Sequence, residues 1–352
     1  MDKILYLLNY PGMGGTEKYV IDLIHSLGPE KCIFVFSEEG PGLKMIQETG
    51  VKTYQISMSG PFDFGAALKL KKIIKQENVK IVHSQFLREN YVALLSKILG
   101  APIRVIWTYH VDVPMDALVR TGNSIFTKFN HNVIAVSGFM YQQLIKKGVP
   151  EKKITLIYNG VEETDVSKTK HSSTDKYQIS IIGRLREEKG HEFLLNSLAR
   201  LNEINNELDW ICNIFGDGPL EEELISLVEK LGLKDRVFFK GFVTNKEEIY
   251  SQTDIVVIPS SNEALSYVAI EALSFSKVVI ASNVGGLPEV IKDGETGLLV
   301  EYGDTESLAS KLNEVLSNPE LSQSLSENGF LSFKEKFTLS KMIEDTIALY
   351  KK

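Results

Sequence analysis

Short apolar runs alternate with longer amphipathic stretches along this chain, and that alternation constrains its fold more than any other feature. Residues 3–9, 32–36, 80–83, 104–108 and 132–136 read as strands, with helices over 15–27 and 64–77 between them. Strands joined by helical crossovers form right-handed βαβ units and a parallel sheet. The pattern stops over 162–176, a polar stretch whose one aliphatic residue is Val166, and this reads as an interdomain linker. It then restarts, with strands over 178–182, 209–215, 237–240, 255–259 and 278–281 and helices over 192–205, 220–231 and 267–275. Two successive halves of this kind predict an α/β protein of two Rossmann-like domains. A chain of 352 residues can bury two such cores.

Composition narrows the function. The net charge of −7 disfavours a nucleic-acid partner. The charge is uneven: 19 Lys/Arg against 13 Asp/Glu give +6 over residues 1–160, and 20 against 33 give −13 over 161–352. Such asymmetry marks either a surface for an anionic partner or two domains that simply differ. Cys32 and Cys212 lie far apart with no CxxC pair, so reduced buried thiols are expected rather than a disulfide or a zinc site. No apolar run approaches the ~20 residues that span a bilayer, and the first residues lack a signal peptide's apolar stretch and cleavage site. A cytoplasmic location is expected. Association with the cytoplasmic face of a membrane is a further expectation. It rests on Lys69, Lys71, Lys72 and Lys75 along one helix, and on Ile125, Phe126 and Phe129 beside Arg120 and Lys128. Solvated helix faces explain the same residues equally well.

The glycine-rich turns fall where strands end. Residues 9–17, Asn-Tyr-Pro-Gly-Met-Gly-Gly-Thr-Glu, lead from the first strand into a helix, where backbone N–H groups suit an anion. Gly12 and Gly14 fit a dinucleotide fingerprint, with Glu38 placed as a ribose-binding acid, but Glu17 occupies the third glycine's position. In the second half, Gly183-Arg184 and Lys189-Gly190 follow the first strand. Arg184 and Lys189 at that edge can clamp a diphosphate, one as a planar fork and one as a point charge. With Glu187 and Glu188 between them, they are equally a solvated charged loop. Gly216-Asp217-Gly218-Pro219 is a tight turn at the same edge.

The strand over 254–258 runs into Pro259-Ser260, and a helix is expected to start near Glu263. Eight positions separate Glu263 from Glu271, about 12 Å of rise in a continuous helix, so the two carboxylates would reach opposite ends of an extended ligand. Free N–H groups near Glu263 would receive an anion; the alternative is a plain dipole role for this acid. Glu271 lies among Val268, Ala269, Ile270, Ala272 and Leu273, where a carboxylate needs donors such as ribose hydroxyls. Gly285-Gly286 with Glu289 adds another turn, and 293–297 reads as hairpin-like.

This ordered series resembles glycosyltransferase family 4, the group 1 retaining enzymes of GT-B fold that use nucleotide-sugar donors. The first half adds Gly14-Gly15-Thr16-Glu17, Thr108-Tyr109-His110, Ala135-Val136-Ser137 and Asn159-Gly160-Val161, and the likeness covers nearly the whole chain. It implies two Rossmann-like domains with parallel sheets facing across a cleft. Residues 1–165 would form the acceptor-side domain, completed by a C-terminal helix over 338–352 within the matching stretch 333–352, and residues 166–337 the donor domain. Arg184 and Lys189 would hold the donor diphosphate and stabilise the departing nucleotide, with UDP the expected nucleotide. Glu271 would bind the ribose. Glu263 would contact the sugar or the positive charge at its anomeric carbon. His110 would line the sugar pocket, or merely pack at its strand end. Gly14 and Gly15 would admit phosphate or acceptor, and Gly241, Phe242 and Val243 would face the base. Ala264, Leu265 and Ser266 stand where the family often has Gly-x-Pro, which narrows the space near the sugar. Thr16, Glu17, His83 and Tyr109 are acceptor-side candidates, and a lipid-linked acceptor would place the enzyme in cell-surface polysaccharide or glycolipid assembly. No Asp-x-Asp occurs, so neither a metal nor a cofactor is expected. The alternatives are a nucleotide-sugar epimerase or hydrolase of the same fold, a non-catalytic relative and, against Glu17, an NAD-binding Rossmann enzyme.

Overall fold

The structure, a computed structural model, describes residues 2–164 and 176–352. The expected boundary at 165/166, and all but the ends of the expected linker, lie outside the described residues. The chain forms two compact units, Met1–Asn159 with Leu339–Lys352, and Gly160–Thr338.

The first unit holds a sheet of seven parallel strands: β1 (Lys3–Leu8), β2 (Cys32–Phe36), β3 (Lys52–Gln55), β4 (Val79–Ser84), β5 (Arg104–Tyr109), β6 (Asn132–Ala135) and β7 (Ile154–Leu156). Their order is β3-β2-β1-β4-β5-β6-β7. The second holds six: β8 (Tyr177–Ile182), β9 (Trp210–Phe215), β10 (Val237–Gly241), β11 (Ile255–Ile258), β12 (Val278–Ser282) and β13 (Leu298–Val300). These are also parallel, in the order β10-β9-β8-β11-β12-β13. The winding therefore reverses between β1 and β4, and again between β8 and β11. Crevices at such switch points, beyond the carboxyl ends of the strands, are where open α/β sheets take ligands.

Helices cover both faces of the first sheet, so its inner strands are almost wholly buried; β2 is buried at every position. On one face, the helix Gly15–Leu27 buries Tyr19, Val20, Leu23, Ile24 and Leu27, a stripe at helical spacing. It shares this core with Met342, Leu349 and Tyr350 of the helix Leu339–Lys351. The other face is covered by Phe64–Gln76 and Leu87–Ile98. In the second unit, one core gathers Trp210, Leu194, Leu198, Leu308 and Leu312 around the sheet. The matching stretch over 333–352 proves to be parts of two helices, Pro319–Lys336 and Leu339–Lys351. The break falls at Phe337-Thr338, where the backbone turns to bond Val161.

Candidate active site

In the second unit the loops after β8, β11 and β12 interlock at the switch point. Lys189 ends a short 3₁₀ turn, and Gly190 follows it at φ +72°. A Cβ on Gly190 would sit 1.9 Å from the carbonyl oxygen of Pro259, so only glycine lets these loops meet. The Ser261 N–H donates to the Glu188 carbonyl across the same contact, at 2.9 Å. The Lys189 ammonium reaches Glu263 Oε1 at 2.6 Å, and the Ser260 hydroxyl donates to the same oxygen at 3.2 Å. Behind Glu263, its carbonyl accepts the Gly286 N–H at 2.9 Å. Arg184 lies exposed at the end of β8 and has no ion-pair partner among the described residues.

Glu263 does not start a helix. The helix is Tyr267–Ser274, capped by the Ser266 hydroxyl, which accepts the Ala269 N–H. Glu263, Ala264 and the buried Leu265 precede it as a loop, so the separation of about 12 Å expected between Glu263 and Glu271 does not apply. Nor are the helix's first N–H groups beside Glu263; they follow Ser266. It is from this loop that Glu263 meets Lys189.

Glu271 is buried on that helix and is paired with Lys246, while Tyr250 also hydrogen-bonds it. Burial raises the Tyr250 hydroxyl's pKa well above its ordinary value, and the Glu271 charge adds to the effect. The pairing resolves the cost of placing a carboxylate among aliphatic residues. At the end of β10, Gly241 takes φ +66° and its carbonyl accepts the Gly216 N–H; Phe242 beyond it is exposed and Val243 half-buried.

In the first unit, the glycine turn after β1 is closed by its own acid. Glu17 accepts the N–H of Gly12 at 2.8 Å on one oxygen and that of Gly14 at 2.9 Å on the other. Two of the N–H groups expected to face an anion are therefore already engaged; Gly15 and Thr16 continue into the helix. Glu89 accepts the Asn9 N–H at 2.6 Å, and Arg88 donates to the Asn9 side chain at 3.0 Å. His110 is nearly buried, bonded to Gln85 at 2.9 Å and set edge-on to Tyr19. Burial lowers its pKa to about 3, so the ring is neutral. His83, expected on the acceptor side, is wholly buried: Nδ1 meets the Tyr350 hydroxyl and Nε2 that of Thr108, both at 2.6 Å. It joins strand to C-terminal helix and offers no surface to a ligand. Tyr109 is likewise buried, and its hydroxyl donates to Asp112 at 2.7 Å.

Residues 162–331 match the family described as glycosyl transferases group 1, and residues 13–165 match glycosyltransferase family 4. A glycosyltransferase of Methanocaldococcus jannaschii is 30% identical over 295 residues, 80% of this chain and 77% of its own length. The chain belongs to the family 4, group 1 glycosyltransferases. This glycosyltransferase is also 26% identical, over 97% of its length and 94% of the relative's, to the N-acetyl-α-D-glucosaminyl L-malate synthase of Bacillus anthracis. Its fold is that of Anabaena HepE, solved in complex with UDP and glucose: TM-score 0.86 at 19% identity, with 100% of both chains covered. That is the GT-B architecture, two Rossmann-like domains.

The second unit of the glycosyltransferase thus gathers Lys189 and Glu263 directly, with Ser260. It holds Glu271 through Lys246 and Tyr250. Sequence reasoning missed Ser260, Lys246 and Tyr250 as partners, and Gln85 and Glu89 in the first unit. Of these, Ser260 alone had a local signal, three positions before Glu263.

Proposed function

We propose that this glycosyltransferase moves a sugar from a UDP-sugar to an acceptor hydroxyl with retention at the anomeric carbon. The carrying observation is the fixed Lys189–Glu263–Ser260 cluster at the β8/β11 switch point. The HepE complex with UDP and glucose, on the same fold, supports the choice of nucleotide. UDP-glucose-type donors carry an α-linked diphosphate, and the α-D-glucosaminyl product named for the Bacillus relative supports retention.

Arg184 and Lys189 hold the diphosphate and stabilise the charge that gathers on it as the bond breaks. Glu271 accepts the ribose hydroxyls. Glu263, already fixed through one oxygen, has the other for a sugar hydroxyl or for the positive charge at the anomeric carbon. The acceptor oxygen forms its bond to that carbon on the face the nucleotide leaves. The carbon–oxygen bond to the β-phosphate breaks with its electron pair going to UDP, and the acceptor's proton passes to a β-phosphate oxygen. Neither metal nor cofactor enters this scheme. The acceptor we favour is lipid-linked, in cell-surface polysaccharide or glycolipid assembly.

The test is thermal unfolding with UDP, GDP, ADP and NAD, followed by a UDP-sugar panel with anomer analysis of the product. A ligand bound only by the folded state raises the melting temperature by mass action. A selective shift with UDP and an α-linked product are expected, with turnover lost in Lys189→Ala and Glu271→Ala. A shift with NAD alone, or normal turnover in either variant, overturns the reading.

A further inference from the structure

At the edge of the first sheet opposite the glycine turn and His110, the turns leading into β6 and β7 border a half-open cavity of about 450 Å³ lined by Lys128, His131, Pro150, Lys152 and Lys153. A volume of this order holds a small ligand. Its wall carries three ammonium groups and an imidazole, and no carboxylate. Two cations are held by backbone: Lys153 of the wall donates to the Asn130 carbonyl at 2.7 Å, and Lys97, outside the lining, to that of Phe129 at 2.9 Å. Lys128 and Lys152 have no carboxylate partner among the described residues. Asp2 pairs with Arg104 at 3.0 Å, and the exposed Glu151, next to Lys152 in the chain, accepts from the Tyr141 hydroxyl at 3.3 Å. Burial and the charges of Arg104, Lys153 and Lys97 hold the His131 ring below its ordinary pKa. Phe129 and, four residues before it, Ile125 stand about half exposed next to Lys128.

We propose that this cavity is a phosphate-binding site of the first unit, separate from the donor site. Like charges gathered on a concave wall focus a positive potential and are relieved by a bound anion. A phosphate offers several acceptor oxygens to converging ammonium groups. The cavity has room for a phosphate and a small headgroup, not for a nucleic acid. That phosphate comes either from a soluble monoester or from an anionic lipid, for which Phe129 and Ile125 supply an apolar flank. The site stands whether or not the donor reading holds.

Two arms distinguish the sources. In the first, histidine C–H resonances of the full chain are titrated with pH, with and without sn-glycerol 3-phosphate, and His131 is assigned by His131→Gln. An anion in the cavity favours the imidazolium, so the His131 pKa should rise in the wild type and stay put in Lys128→Glu/Lys152→Glu. In the second, the protein is sedimented with phosphatidylglycerol or phosphatidylcholine vesicles. Binding to the anionic vesicles alone is expected, falling about tenfold or more in the same double variant. Lys69→Glu/Lys72→Glu makes the same change in net charge on another helix and should bind as the wild type does. A Lys128/Lys152-dependent response in either arm supports the site and names the source. No response in both arms, or an equal loss in the Lys69/Lys72 control, overturns it. Melting temperature and turnover on a soluble acceptor should not change in either variant.

Discussion

Replacing Gly285 with alanine tests whether the interlocked loops of the second unit set the site's geometry. Gly285 sits at φ +57°, and a Cβ there would lie 1.8 Å from the Glu263 carbonyl oxygen and 2.9 Å from its carbon. Ordinary contact begins near 3.4 Å, so backbone has to separate by more than an ångström. The left-handed conformation costs alanine about 1 kcal/mol. Loss of the 2.9 Å bond from the Gly286 N–H to the Glu263 carbonyl adds about 1 kcal/mol, and the loop displacement about as much again. A total of about 3 kcal/mol lowers the melting temperature of a unit this size by roughly 6–12 °C. Gly303 is the matched control: φ is +86° and nothing lies within 4 Å of its Cβ position. Gly303→Ala should cost only the conformational part, about 1 kcal/mol or roughly 2–4 °C. Turnover separates the two further, because moving the Glu263 backbone draws its carboxylate away from Lys189, and a tenfold or greater fall in kcat is expected in Gly285→Ala alone. Equal melting temperatures and equal kcat in the two variants would refute the reasoning.

Lys246→Met should destabilise by about 1–2 kcal/mol, the buried-pair cost discounted because Lys246 is itself about one-third exposed. The loss should shrink in a Glu271→Gln background, measured by urea unfolding, and strict additivity would mean the two do not interact. Acid should act through two buried histidines. His83 and His110 have folded pKa values lowered to about 3 by burial, against 6.5 ordinarily. Their neutral forms are favoured in the folded state, so stability is fully present above pH 6.5 and falls as the pH drops toward 3. At pH 5 each ring costs about 2 kcal/mol relative to pH 7. Between those pH values His110→Asn should lose less stability than the wild type; the same loss in both would show that His110 is not held neutral.

The strands that were legible carry apolar runs, whether inner strands or, as at Val237–Gly241, an edge strand. Cys32–Phe36 reads as one apolar run because helices cover both sides of it. Lys52–Gln55 does not, because an edge strand exposed at both ends and only half-buried between them carries no apolar run. Leu298–Val300 is too short to stand out. The error at Glu263 was a competition between two helix starts. An acid in the first turn suggested one, while Ser266 three residues before the Ala269 N–H it accepts was the capping signal that won. The candidate site residues Lys189 and Glu263 were legible because they sit in loops at strand ends. Their supports were not: Lys246 reaches Glu271 from another helix, and His83 meets Tyr350 from the far end of the sequence. Such pairings follow from topology, which local spacing does not encode.

The helix Leu339–Lys351 also has a consequence for how the protein is made. Met342, Leu349 and Tyr350 fill the core of a unit whose other residues end at Asn159. On the ribosome, the 179 residues from 160 to 338 are synthesised between the two parts. At roughly 5–20 residues per second, the nascent first unit waits about 10–35 s with part of that face of its sheet uncovered and His83 without Tyr350. The second unit, contiguous in the chain, emerges whole and can close first. The second unit can thus be complete before the first, and the part of the first unit's apolar face left open in that interval is where a chaperone would have most to bind.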